Sequence, residues 1–223
     1  MKTFSKISGI LMLALTVLVT PSCEDTIDIF PPVITLDGDL EVFVRLGDAY
    51  TEPGAVATDD DGTDLTISVD DTAVNTEAVG TYEVLYSATD EAGNTATDVR
   101  TVHVFALEED YAGTYTVQSE ACDDGSGFIY DVEIQTTSTS GTVLLINLGD
   151  FSVEANVEMT LGGNTGGELA INDTDGGVTF TGTGTLNSME LTGGVEPTVN
   201  LTLNWTFDDG VNPAVACETV LAK

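Results

Sequence analysis

The sequence predicts an all-β chain of two domains, each a sandwich or a barrel, on three observations. After residue 30 apolar and polar residues alternate over short runs, the period of strands that bury one face. Turn-forming residues break those runs at short intervals, with 23 glycines in 223 residues and abundant Asp and Thr, the punctuation of many strands joined by tight turns. At 42% hydrophobic content the chain can fill two cores of about 100 residues each, and no long helix is expected beyond the first twenty residues.

Residues 1–22 read as a signal peptide, with Lys2 and Lys6 ahead of an apolar run from Ile10 to Val19 that is too short to span a bilayer. The stretch Thr20-Pro21-Ser22-Cys23 resembles a lipoprotein cleavage box, although Thr20 and Pro21 depart from its commonest form. The resemblance implies that Cys23 becomes the acylated mature N-terminus, holding the protein to a membrane by its lipid chains. Glu24, Asp25 and Asp28 resemble the acidic surface-export signal of Bacteroidota lipoproteins, which implies an outer-membrane, outward-facing address. Residues 23–31 then form a lipidated tether, flexible until Pro31-Pro32 stiffens it at the domain edge.

The formal charge is −33, and cleavage after residue 22 would remove Lys2 and Lys6 and take it to −35. Such a surface repels polyanions, so nucleic acid is excluded as a partner.

Residues 32–106 form the first domain. Turn signals at Asp37-Gly38, Leu46-Gly47-Asp48, Asp61-Gly62, Val79-Gly80 and Ala92-Gly93-Asn94 divide it into six or seven strands, which predicts a sandwich. Tyr82, Val84 and Tyr86 share one strand face, and Val102 and Val104 share another in the run Arg100 to Phe105. The segments Pro32-Val33-Ile34-Thr35-Leu36, Tyr50-Thr51-Glu52-Pro53-Gly54-Ala55, Val79-Gly80-Thr81-Tyr82 and Ala88-Thr89-Asp90-Glu91-Ala92-Gly93-Asn94-Thr95-Ala96 resemble bacterial immunoglobulin-like domains of surface lipoproteins and pesticidal crystal-protein-type repeats. That resemblance implies a spacer or presentation module without chemistry of its own. Asp59, Asp61 and Asp64 offer hard oxygens at near-alternate positions, a pattern suited to Ca²⁺, with Asp90 as a further ligand. An acidic turn has the same composition, and no EF-hand frame surrounds it. His103 is expected on an exposed strand face.

Residues 107–223 form the second domain, entered through Leu107-Glu108-Glu109-Asp110, which carries neither strand nor turn pattern. Phe128, Tyr130, Val132 and Ile134 alternate with polar neighbours, as do Val153, Ala155, Val157 and Met159, and Val199, Leu201, Leu203, Trp205 and Phe207. Eight or nine strands fit between Gly113 and Leu221, arranged as an antiparallel lipocalin-like β-barrel or a curled sandwich. Gly113-Thr114-Tyr115, Cys122, Tyr130-Asp131-Val132-Glu133-Ile134, Asn147-Leu148-Gly149 and Cys217 resemble the C-terminal β domains of Bacteroidota lipoproteins that accompany SusC- and SusD-like nutrient-uptake systems. The resemblance implies importer proteins as neighbours. With Cys23 acylated, Cys122 and Cys217 are the remaining pair, and an exported chain matures where thiols oxidise, so a disulfide is expected. Free thiols or a zinc site are the rival readings.

No catalytic constellation is visible. His103 is the single histidine and lacks a nucleophile motif nearby, Lys223 is the one lysine after residue 22, so phosphate-cradling loops are absent, and the carboxylates are too many for any pair to stand out. The chain is therefore expected not to be an enzyme. Aromatic faces stack on sugar rings while Asn, Asp and Thr supply hydrogen bonds, which makes Trp205, Tyr115, Tyr130 and Phe128 the candidate ligand contacts, against the alternative that they pack the core. The expectation is a noncatalytic surface lipoprotein that binds or presents a ligand, most plausibly a glycan, beside an outer-membrane nutrient importer. The alternative is a structural or adhesive stalk that contacts another protein.

Overall fold

A computed structural model describes residues 28–149, 156–193 and 196–223. The signal peptide, Cys23 and residues 24–27 of the tether lie outside the described residues, as do Val153 and Ala155.

The first domain is a two-sheet sandwich. β1 (Val33–Leu36), β3 (Ala55–Thr58) and β4 (Asp64–Leu65) form one sheet in that order, and β2 (Glu41–Arg45), β7 (Thr95–Phe105), β6 (Gly80–Thr89) and β5 (Ile67–Asp70) form the other. β2 runs parallel to β7, and the other pairs are antiparallel. Alternation puts Val84 and Tyr86 of β6 and Val44 and Val102 of β2 and β7 inside, where Ile34 and Leu36 of the facing sheet close over them. Gly38, Gly47, Gly62 and Gly93 take positive φ at the expected turns, where a Cβ would be strained. The turn expected at Val79-Gly80 is instead the start of β6.

Arg100 shares the inward phase of Val102 and Val104, and it is 0% exposed. Its guanidinium donates to the Tyr86 hydroxyl at 2.9 Å and to the Asp37 carbonyl at 2.6 Å, and also reaches the Asp39 carbonyl. Glu52 lies 3.4 Å away as counter-ion and accepts from the Tyr50 and Tyr86 hydroxyls and, at 2.8 Å, from the Gly54 N–H. A buried charge needs this kind of saturation, because desolvation is otherwise prohibitive.

One helical turn, α1 (Glu108–Tyr111), leads into the second domain. Eight strands follow: β8 (Gly113–Cys122), β9 (Asp131–Thr136), β10 (Thr142–Ile146), β11 (Asn156–Gly162), β12 (Glu168–Asp175), β13 (Val178–Thr192), β14 (Glu196–Asp208) and β15 (Val215–Ala222). Each pairs antiparallel with the next, and β15 returns to β8, so the sheet is a closed up-and-down barrel rather than a curled sandwich. The barrel is filled rather than hollow: Val117, Val132, Leu145, Val157, Met159, Leu201 and Leu203 are buried in one core. Cys122 and Cys217 are register partners on the closing seam and form a disulfide, with Cα atoms 4.0 Å apart.

The first domain caps one end of that barrel. Leu46, Val104 and Ala106 belong to the barrel's own apolar cluster, and backbone hydrogen bonds cross the junction from Val79 N–H to Met189 (2.9 Å), from Leu191 N–H to Glu77 (2.8 Å) and from Ala106 N–H to Thr165 (3.0 Å). Arg45 adds ion pairs to Glu109 at 2.9 Å and Asp110 at 3.2 Å.

Candidate functional site

Burial sorts the sequence-based ligand candidates. Tyr115 is 0% exposed and donates to the Tyr111 carbonyl at 2.7 Å, with its inward position on β8 locking it in the barrel core. Trp205 is 2% exposed, and its indole N–H donates to the Thr219 hydroxyl at 2.9 Å. Tyr115 is sealed in the core, and Trp205 packs the core with its edge at the rim of a small recess. Tyr130 is also buried, its hydroxyl donating to Glu120 at 2.7 Å. Phe128 alone of the four is exposed.

Glu120 reaches the barrel interior because of a bulge. Opposite Val220 and Leu221 the register shifts by one residue, so inward positions on β8 run Tyr115, Val117 and then Glu120, Cys122. A bulge re-aims a side chain in this way. The carboxylate accepts from Tyr130, from Thr219 at 3.0 Å and from the Phe128 N–H at 3.3 Å. With Asp124, Phe128, Trp205 and Phe207 it borders a recess of only about 150 Å³ at the barrel end away from the first domain.

The acidic candidates border one concavity of about 600 Å³ in the first domain, where Asp59, Asp61, Asp64 and Asp90 line the wall with Asp28. Their oxygens do not all converge. Among the described residues the carboxylates that bring one oxygen each within 4.8 Å of one another are Asp28, Asp59 and Asp60. Asp61 accepts instead from the Thr63 N–H (2.8 Å), and both oxygens of Asp90 are taken by Asn94 (2.8 Å each). Partial desolvation and the charges of Asp28, Asp59 and Asp61 hold the Asp60 carboxyl above its usual pKa.

A further concavity was not singled out by sequence. It lies at the domain junction, has a volume of about 440 Å³, and is walled by Phe43 and Phe105 on one side and by Leu161, Asn164 and the bare backbone of Gly162, Gly163 and Gly166 on the other, with Glu108 and Ser140 at its edge. In β2, Val42 and Val44 turn inward, which turns Phe43 outward; the ring is 52% exposed. It stacks on the His103 imidazole at 4.9 Å and 26°, so one face is backed and rigid while the rest faces the cleft. Contrary to expectation His103 is buried, at 6% exposure. The barrel loop carrying Asn164 covers it, with Asn164 Nδ2 3.5 Å from Nε2 and the Thr81 hydroxyl 3.0 Å from Nδ1. Glu108 accepts from the Gly141 N–H. That bond, ahead of its own backbone N–H and set against modest desolvation, holds its carboxyl below the usual range, so it is ionised at neutral pH. The arrangement joins an aromatic platform to a carboxylate, an amide, a hydroxyl and open backbone, with the Ser140 hydroxyl also hydrogen-bonded to Glu108.

Comparison with known proteins supports the sandwich assignment. No curated protein matches the chain significantly. Among solved structures the chain is similar to a lipoprotein from Bacteroides thetaiotaomicron (18% identity, 86% of this chain and 100% of that one, TM-score 0.32) and to a structural-genomics protein of unknown function from Bacteroides ovatus (13%, 85% and 78%, TM-score 0.37). A third is a Clostridium perfringens structure of a carbohydrate-binding module in complex with GlcNAc together with INT domains (15%, TM-score 0.27), where the match spans 85% of this chain and 43% of that one. At TM-scores below 0.5 these likenesses define neither fold nor function. Residues 34–104 match the family model of the bacterial surface protein Ig-like domain, so the sandwich ahead of the barrel is an Ig-like domain similar to that family.

Proposed function

We propose that the protein is a noncatalytic, lipid-anchored surface protein of the outer membrane that binds a glycan in the cleft between its two domains, beside a nutrient importer. The observation that carries this reading is the Phe43 ring, backed by His103 on one face and open to a cleft of about 440 Å³, within the range of small-ligand sites. An apolar sugar face stacks on such a ring, and Asn164, Ser140, Glu108 and the glycine backbone supply hydrogen-bond partners for its hydroxyls. The anchor rests on the lipoprotein-like box at Cys23 and the importer on the resemblance of the barrel domain. Glycan-array and affinity-gel screening of residues 24–223 tests it: a retained glycan should bind Phe43→Ala about tenfold more weakly, a loss of roughly 1.4 kcal/mol. Equal retention of the variant would overturn the cleft as the site.

A stalk that contacts another protein is the second reading. It is favoured by Leu85 and Val99, which are register partners on the outer face of the four-stranded sheet and are 50% and 39% exposed. Replacing both with Ser leaves glycan retention unchanged on the first reading and abolishes partner capture on the second.

A further inference from the structure

Resting on the glycan reading, and sharpening it, we infer that the cleft accepts neutral hexopyranose units and rejects uronic and sulfated sugars, with Glu108 setting this specificity. Glu108 is the one ionisable side chain among the described residues that line the cleft. The Gly141 N–H fixes its carboxylate at the entrance, on the turn that joins the two domains. A sugar carboxylate or sulfate entering beside it would lose water next to a like charge, an arrangement that costs binding free energy without any compensating contact.

Among the described residues no arginine or lysine lies in the cleft to relieve that cost. After residue 22 the sequence contains three Arg and Lys side chains, Arg45, Arg100 and Lys223, and each is engaged elsewhere in the fold. Arg100 is sealed in the sandwich core against Glu52 and the Asp37 and Asp39 carbonyls. Arg45 is engaged by Glu109 and Asp110 across the junction. Lys223 donates to the Ala112 carbonyl at 2.5 Å and lies over the Tyr115 ring. Anion recognition relies on Arg and Lys for charge-assisted hydrogen bonds, and none of the three lines the cleft. The chain's excess of acidic groups adds a long-range repulsion of the same sign. Neutral sugars meet neither obstacle, and the carboxylate of Glu108 is a strong acceptor for their hydroxyls.

Matched polysaccharide pairs test the inference: galactan with polygalacturonate, glucan with glucuronan and mannan with mannuronan, run in affinity gels against residues 24–223 and the Glu108→Gln variant. The expected result is retention by at least one neutral member, binding at least about tenfold weaker to its uronic counterpart, and a ratio at least about threefold smaller in Glu108→Gln. For the unaltered chain the same ratio should shrink as NaCl is raised from 0.05 to about 0.5 M, because screening weakens the repulsion, a readout that does not depend on the variant folding. A uronic member bound as tightly as its neutral partner would overturn the specificity and leave the glycan reading intact. An unchanged ratio in a folded Glu108→Gln would overturn the role of Glu108. Binding to no member of any pair would overturn both readings together.

Discussion

Gly182 stands directly opposite Trp205 in the β13–β14 ladder, and a Cβ on it would lie 2.7 Å from the Trp205 Cα. Two positions on, a Cβ on Gly184 would meet Leu203 and Leu169 side chains. The barrel accommodates its largest inward ring by leaving out side chains across from it, the small-against-large complementarity that close packing demands. Gly182→Ala should therefore destabilise the barrel by about 1–3 kcal/mol, and Trp205→Ala by about 3–5 kcal/mol through the cavity it leaves. Urea unfolding followed by far-UV circular dichroism measures both, and a change below about 0.5 kcal/mol for either would refute the packing described.

The Arg100–Glu52 pair predicts a fragile sandwich when one partner is removed. Arg100→Ala leaves the Glu52 carboxylate and the hydroxyls of Tyr50 and Tyr86 without their cation and should cost about 3–5 kcal/mol, read in the unfolding transition of the first domain. Because Leu46, Val104 and Ala106 pack into the barrel cluster, the barrel transition should shift by less than that of the first domain.

Acid should act on the same network. Burial alone raises the Glu52 pKa, but the Tyr50 and Tyr86 hydroxyls, the Gly54 N–H and Arg100 outweigh it and bring the carboxyl below its ordinary value of 4.5. A folded-state pKa below the unfolded one gives stability that is complete above the unfolded value and is lost as pH falls through the folded value. Asp61, Asp70, Asp90, Asp124 and Asp209 are depressed in the same sense. Thermal unfolding midpoints should hold between pH 7 and about 5 and fall below about 4.5, with Glu52→Gln flattening the acid limb.

Cys122 and Cys217 join the first and last barrel strands, 95 residues apart in sequence. Replacing both with Ser should lower barrel stability by up to about 4.7 kcal/mol on the chain-entropy estimate, with the β8–β15 ladder still formed. Denaturant midpoints with and without reductant check this, and an unchanged midpoint in the double variant would contradict it.

The junction predicts a site that both domains build. Gly166 has φ +73°, and a Cβ there would come within 2.8 Å of the Ala106 carbonyl beside the Ala106–Thr165 hydrogen bond. Gly166→Ala should loosen the contact between domains and weaken glycan retention while both domain cores remain folded. Small-angle scattering, with an increase in radius of gyration, is the check.

Much of the fold was legible from alternation. The period-2 phase places Trp205, Val132, Ile134, Val84 and Tyr86 on buried faces, and the same alternation in β2 sets Phe43 outward between inward Val42 and Val44. The same phase carried Arg100 inward with Val102 and Val104, although its partners at residues 37, 39, 52 and 86 come from other strands and turns. Local pattern fails where the deciding contact is distant. His103 alternates as a surface residue, and its cover is Asn164, 61 positions away. Glu120 turns inward only because a bulge shifts the register against β15, and barrel closure itself depends on pairing the first and last strands of the domain. Glu108 lies in a single helical turn without periodicity, and its place at the cleft is set by the Gly141 N–H 33 residues on.

The most direct measurement is an amide chemical-shift titration of residues 24–223 with a neutral glycan retained in the affinity gels. A site in the domain junction predicts the largest changes at Phe43, Glu108, Gly141, Asn164 and Gly166. Changes confined to the far barrel end, around Phe128 and Gly149, or to the outer sheet face at Leu85 and Val99, would contradict it.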